Sequence, residues 1–122
     1  MSVQRLRRLT LTTGRGPATR SFYEAVGMTF RETNDSDGAL AWVSELGSSM
    51  FIILEATPGD APPRLAGGAT AIGLLVDDVD AACSRARTGG ARVLFPPHEA
   101  PAGRRAILAD PDGRMVELNQ AG

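Results

Sequence analysis

Three charged residues carry the chemistry this sequence could do: Arg8, Glu55 and Glu117. Each lies in a stretch whose alternating or apolar pattern reads as a β-strand, and alternation would turn all three toward one surface. A carboxylate in an apolar hollow has its pKa raised and can act as a general base, so Glu55 and Glu117 are the candidates for that role. An arginine between them would bridge both through its planar fork, and a buried carboxylate needs some such partner. Other reactive residues are few. Cys83 is the only cysteine and sits in an apolar helical stripe, where packing is expected of it rather than nucleophilic attack. His98 is the only histidine, placed in a proline-rich segment where an exposed ring is expected ahead of a general base. Gly14-Arg15-Gly16-Pro17 lacks the lysine and spacing of a phosphate loop, and no serine or cysteine has an evident base.

The elements that must position these residues are short and divided by glycine and proline. Arg5–Thr13 reads as a strand, with Leu9 and Leu11 interleaved among Arg8, Thr10 and Thr12. Pro17 suits a helix start, Phe22, Ala25 and Val26 recur at helical spacing, and Gly27 is placed to end the helix. Strands are expected at Met28–Thr33, Leu40–Glu45 and Met50–Ala56, with turns at Asn34–Gly38 and Gly47–Ser49. Pro58–Gly68 reads as an exposed linker. The order then recurs. Thr70–Val76 is a strand, Asp78 caps a helix buried through Val79, Cys83 and Ala86, and Gly89-Gly90 ends it. Strands follow at Arg92–Phe95, Arg105–Ala109 and Met115–Asn119, the last two joined by the turn Asp110-Pro111-Asp112-Gly113.

The recurrence is quantitative. Arg8 to Ala71 is 63 positions, Gly27 to Gly90 is 63, and Glu55 to Glu117 is 62. The expected fold is therefore α+β, with two tandem βαβββ modules forming a curved mixed sheet in one domain over residues 1–122. The first module covers about 1–57, the linker about 58–68 and the second module about 69–122.

Phe22-Tyr23 with Val26-Gly27, Val76-Asp77-Asp78-Val79-Asp80, and Asp110-Pro111-Asp112-Gly113 with Glu117-Leu118 resemble the vicinal oxygen chelate superfamily. That superfamily comprises glyoxalases, bleomycin-resistance proteins and extradiol dioxygenases, and the resemblance covers nearly the whole chain. It implies two modules whose sheets form a cup, commonly completed across a homodimer. It also implies four inward positions for a divalent metal, two usually histidine and two acidic. Here those positions are occupied by Arg8, Ala71, Glu55 and Glu117.

Half of that donor set is absent. Arginine stays protonated and offers no lone pair, and alanine offers nothing. The expectation is thus no cofactor, with Arg8 standing in for the metal between the glutamates; a divalent metal on Glu55 and Glu117 alone is the alternative. Alternation on the strands places Ile52 and Leu54 with the core and lines the cup with Phe51, Ile53, Leu75 and Met115. Thr10 shares that lining, and Trp42 and Phe95 are flat surfaces for stacking on a ligand, with packing the equal alternative. Tyr23, by contrast, is expected to pack.

With 43% hydrophobic and 22% charged residues, the composition is that of an ordinary globular chain. A net charge of −1 with mixed signs gives no footprint for nucleic acid or a membrane surface. No stretch is long and apolar enough to span a bilayer, and a cytoplasmic location is the default. The expected function is metal-free binding of a small hydrophobic or aromatic ligand, as in antibiotic sequestration, by a homodimer. The competing reading is a glyoxalase-like lyase or isomerase, or a dioxygenase, acting on a small oxygenated substrate.

Overall fold

A computed structural model describes residues 1–34, 38–56 and 71–121. Its order is β1 (Arg8–Thr13), α1 (Gly16–Ala25), β2 (Arg31–Asn34), β3 (Leu40–Leu46) and β4 (Ser49–Glu55), then β5 (Ala71–Leu75), α2 (Val79–Thr88), β6 (Arg92–Ala100), β7 (Gly103–Ala109) and β8 (Met115–Ala121). Each module makes one four-stranded mixed sheet, in the orders β1-β4-β3-β2 and β5-β8-β7-β6. The first and last strands of each module run parallel and the other pairs antiparallel. This is the βαβββ repeat that the spacing predicts. The linker expected at about 58–68 lies outside the described residues.

Local chemistry accounts for the element ends. Thr13, fully buried at the end of β1, accepts the Arg15 N–H through its hydroxyl at 2.9 Å, and Pro17 follows within the first turn of α1. Gly27 and Gly90 close the two helices with φ of 121° and 97°, a conformation other residues adopt only with strain. Asp78 caps α2 by accepting the Ala81 N–H at 3.0 Å. Asp80 in its first turn and Arg85 and Arg87 in its last complement the helix dipole.

One core serves both modules. Phe22, Tyr23 and Val26 of the first helical segment and Val79, Ala82 and Cys83 of the second belong to the same buried cluster as helix-facing residues of both sheets. Phe22 packs edge-on to Tyr23 at 4.9 Å between ring centroids, and Tyr23 packs on Phe51 at 4.8 Å. The turn after β7 ties the modules together. Asp110 is completely buried and accepts the Tyr23 hydroxyl at 2.8 Å, the N–H groups of Asp112 and Arg114 at 2.9 Å each, and Arg114 Nη1 at 3.1 Å. Arg114 also donates to Asp112 at 3.0 Å and to the Thr12 carbonyl on β1 at 2.7 Å. Burial works against the Arg114 charge, but its bonds to Asp110 and Asp112 prevail and hold its pKa above the usual arginine value. Burial, then Asp110, pushes the Tyr23 phenol far up, so it remains a donor at any ordinary pH.

The structure lengthens the last three strands of the second module and starts β2 at Arg31 in place of Met28. β6 runs through Pro96 and Pro97 to Ala100, where the sequence suggests a loop. Proline is tolerated because β6 is a sheet edge, and register shifts between Val93 and Phe95 and between Phe95 and His98 absorb the irregularity.

Candidate functional site

Residues paired across a ladder share a face, so the registers decide which side chains meet. On β1, Leu9, Leu11 and Thr13 turn toward the helices, and their partners on β4 are Phe51, Ile53 and Glu55. Arg8, Thr10 and Thr12 turn to the opposite face with Met50, Ile52 and Leu54. The expected face of β4 is therefore reversed. Phe51 and Ile53 are core residues, buried to 2% and 0% exposure; Ile53 lies away from the cup, while Phe51 reaches only the floor of the cleft between β1 and β5. The physical cause is the run Met50-Phe51-Ile52-Ile53-Leu54, apolar on both faces, which carries no alternation from which to read an orientation.

Glu55 follows the same parity. Its Oε1 lies 3.1 Å from where a Cβ on Gly16 would stand, placing the carboxylate beside the first turn of α1, where the helix dipole favours a negative charge. The ladder also explains the misplacement. Arg8 pairs with Met50 and Ala71 with Met115, so the last strands are related by 115 − 50 = 65 positions and not by the 62 that links the glutamates. The counterpart of Glu117 is Ile52, and that of Glu55 is Gln120, whose Oε1 accepts the first N–H of α2, from Val79, at 2.8 Å. Trp42 belongs to the core as well. It is 3% exposed, against Gly16 and with the Arg20 guanidinium 5.4 Å above its ring, so it offers no stacking surface.

The second module keeps its expected faces. Met115, Glu117 and Asn119 pair with Ala71, Gly73 and Leu75 on the side away from the helices. Leu75 is 77% exposed there. Arg105, Ile107 and Ala109 of β7 share this face, and Arg105 Nη2 donates to Glu117 Oε2 at 2.7 Å. An arginine does hold Glu117, but it is Arg105. Arg8 lies exposed on the first sheet, and its expected bridge between the two glutamates does not form because Glu55 is on the other face. Arg105 and Glu117 stand 12 residues apart on adjacent strands, one diagonal step across the ladder, a relation visible only once the β7–β8 register is known.

His98 is the Cα partner of Arg105 and is exposed, its Nδ1 2.9 Å from the Pro96 carbonyl. Phe95, partner of Ile107, is 57% exposed on the same sheet. A cleft of about 610 Å³ runs between the edge strands β1 and β5, lined from both faces of the strands by residues that include Leu9, Thr10, Met50, Phe51, Ala71 and Ile72. Ala71 is short and Gly73 has no side chain, so the β5 wall of the cleft is low. A second cleft, about 620 Å³, lies between α1 and the end of α2 near Pro111.

These residues do not make a divalent-metal donor set. Two of the four positions are Arg8 and Ala71, Glu55 faces the helices, and Glu117 is engaged by a guanidinium. Among the described residues no three His, Cys, Asp or Glu side chains converge. No helix among them is long and apolar enough to cross a membrane. Cys83 is buried as expected, and burial raises its thiol pKa.

Solved structures share this fold. A glyoxalase-related enzyme from Fulvimarina pelagi matches with a TM-score of 0.75 at 23% identity, over 97% of this chain and 88% of that one. TnmS3, an antibiotic binding protein from Streptomyces sp. CB03234, matches at 0.70 and 25% identity, over 100% and 99% of the two chains. The fosfomycin resistance protein FosX from Mesorhizobium loti matches at 0.70 and 21% identity, over 97% and 92%. A search of curated proteins gives no match. The model of the Glyoxalase/Bleomycin resistance protein/Dioxygenase superfamily matches residues 5–118, and with the duplicated βαβββ sheets this establishes that the chain belongs to that superfamily.

Proposed function

We propose that this chain binds a small hydrophobic or aromatic molecule without a metal, in the manner of an antibiotic-sequestering protein. The observation that carries the reading is the Arg105–Glu117 pair: the acidic residue on the concave face at a chelate position is already bonded to a fixed cation. A divalent ion there would have to displace or sit beside a guanidinium, at a coulombic cost. The apolar cleft between β1 and β5 supplies the concave, mainly hydrophobic surface that ligand sites require. Likeness to an antibiotic binding protein at 25% identity over essentially both full chains supports the same class. Exposed apolar side chains at Leu6 and Leu75 leave room for a second copy to complete the cup, so the functional unit is read as a cytoplasmic homodimer.

The test is elemental analysis of purified protein after incubation with zinc, nickel and manganese, alongside thermal shifts with those ions and with a panel of aromatic antibiotics. Substoichiometric metal and no ion-induced shift are expected, with a rise in Tm for a compound that binds. A ligand at a hundred times its Kd stabilises by about 2.7 kcal/mol. Stoichiometric metal would overturn the reading in favour of a metal-dependent lyase or dioxygenase.

A further inference from the structure

The concave face of the second sheet carries more positive than negative charge. Arg92, Arg105 and Glu117 lie on it through their ladder partners, and His98 joins them beside Arg105. Arg105 is not saturated. Its one bond among the described residues goes from Nη2 to Glu117, while Nε is buried with no acceptor. A guanidinium offers five N–H donors, and a buried donor left without an acceptor is unfavourable. The ion pair with Glu117 fixes the guanidinium on the face without using it up. Phe95 is exposed on the same sheet, on the β6 side of Arg105.

We propose that this face is an oxyanion subsite, in which Arg105, oriented by Glu117 and flanked by His98, binds the acidic oxygen of a planar aromatic ligand whose ring lies on Phe95. The inference rests on the small-molecule reading above and adds the ligand's charge and shape to it. Carboxylate and guanidinium pair through charge-assisted bonds about twice as strong as neutral ones. A carboxylate ligand would compete with Glu117 for Nη2 or take the remaining donors. With Nδ1 turned to Pro96, the His98 Nε2 is free to meet the ligand and is a second donor when the ring is protonated.

The experiment compares 2-naphthoate with its uncharged isostere 2-naphthamide by titration calorimetry. The acid is expected to bind at least about tenfold more tightly than the amide, the factor worth 1.4 kcal/mol. Arg105→Gln should bring the two within about twofold of each other, whereas Arg105→Lys keeps part of the preference. Arg104→Gln, whose side chain pairs with Asp80 and Glu99, should leave it unchanged. Circular dichroism and Tm confirm that each variant is folded. Equal binding of acid and amide, or a preference surviving Arg105→Gln, would overturn this inference while sparing the small-molecule reading. Failure of both compounds to bind would overturn both.

Discussion

Asp110→Asn tests the link that holds the two modules in one body. The carboxylate has no exposed surface and accepts four hydrogen bonds, two on each oxygen. Replacing one oxygen by an amide NH₂ turns two of those acceptors into donors facing donors. If the NH₂ takes the Oδ1 position, the N–H groups of Asp112 and Arg114 are orphaned; if it takes Oδ2, Arg114 Nη1 keeps only its bond to Asp112 and the Tyr23 hydroxyl must turn to accept. In either case Arg114, whose side chain is 10% exposed, is left with Asp112 as its only carboxylate. Breaking a buried pair by neutralising one partner costs about 3–5 kcal/mol. That is a large part of the 5–15 kcal/mol that usually holds a domain together. At roughly 3–5 °C per kcal/mol for a chain of this length, Tm should fall by about 10–20 °C. Urea denaturation of wild type, Asp110→Asn, Tyr23→Phe and the double variant supplies the free energies. Tyr23→Phe alone should cost about 1.5–3 kcal/mol, since it removes one bond to a charged group. The double variant should cost less than the sum, because the two changes remove the same bond. A loss below about 1 kcal/mol for Asp110→Asn, or strict additivity with Tyr23→Phe, would refute the network as drawn.

Two other perturbations follow from the same contacts. Gly16→Ala would place a Cβ 2.7 Å from two atoms of the Trp42 ring, so a loss of about 1–3 kcal/mol is expected by denaturation, with a change in tryptophan fluorescence. The Cys83 thiol is buried and its pKa is raised by that burial, so less thiolate forms at any pH than in the unfolded chain. Labelling by a disulfide reagent at pH 8 should be slow in the native protein and fast in denaturant; rapid native labelling would refute the packing.

The sequence by itself determined the repeat and most of the element types. Turn glycines, helix caps and apolar periodicity act over a few residues, so Gly27 and Gly90, Asp78 and the Asp110–Gly113 turn are legible without any tertiary contact. It also marked the concave face of β5 and β8, because Val116 and Leu118 alternate cleanly with Met115, Glu117 and Asn119. What only the tertiary structure decided was the face of β4 and the partner of Glu117. An all-apolar strand has no preferred face until its neighbour is known, and the pairing of Leu9 and Leu11 with Phe51 and Ile53 settles it. A shift of 65 in place of 62 is odd relative to the period of two, so it turned Glu55 from the cup to the start of α1. Arg105 meets Glu117 through a cross-strand register that no local pattern encodes. The family could be read along the chain; the centre of its cup, with one glutamate held by an arginine from the neighbouring strand, had to be folded to be seen.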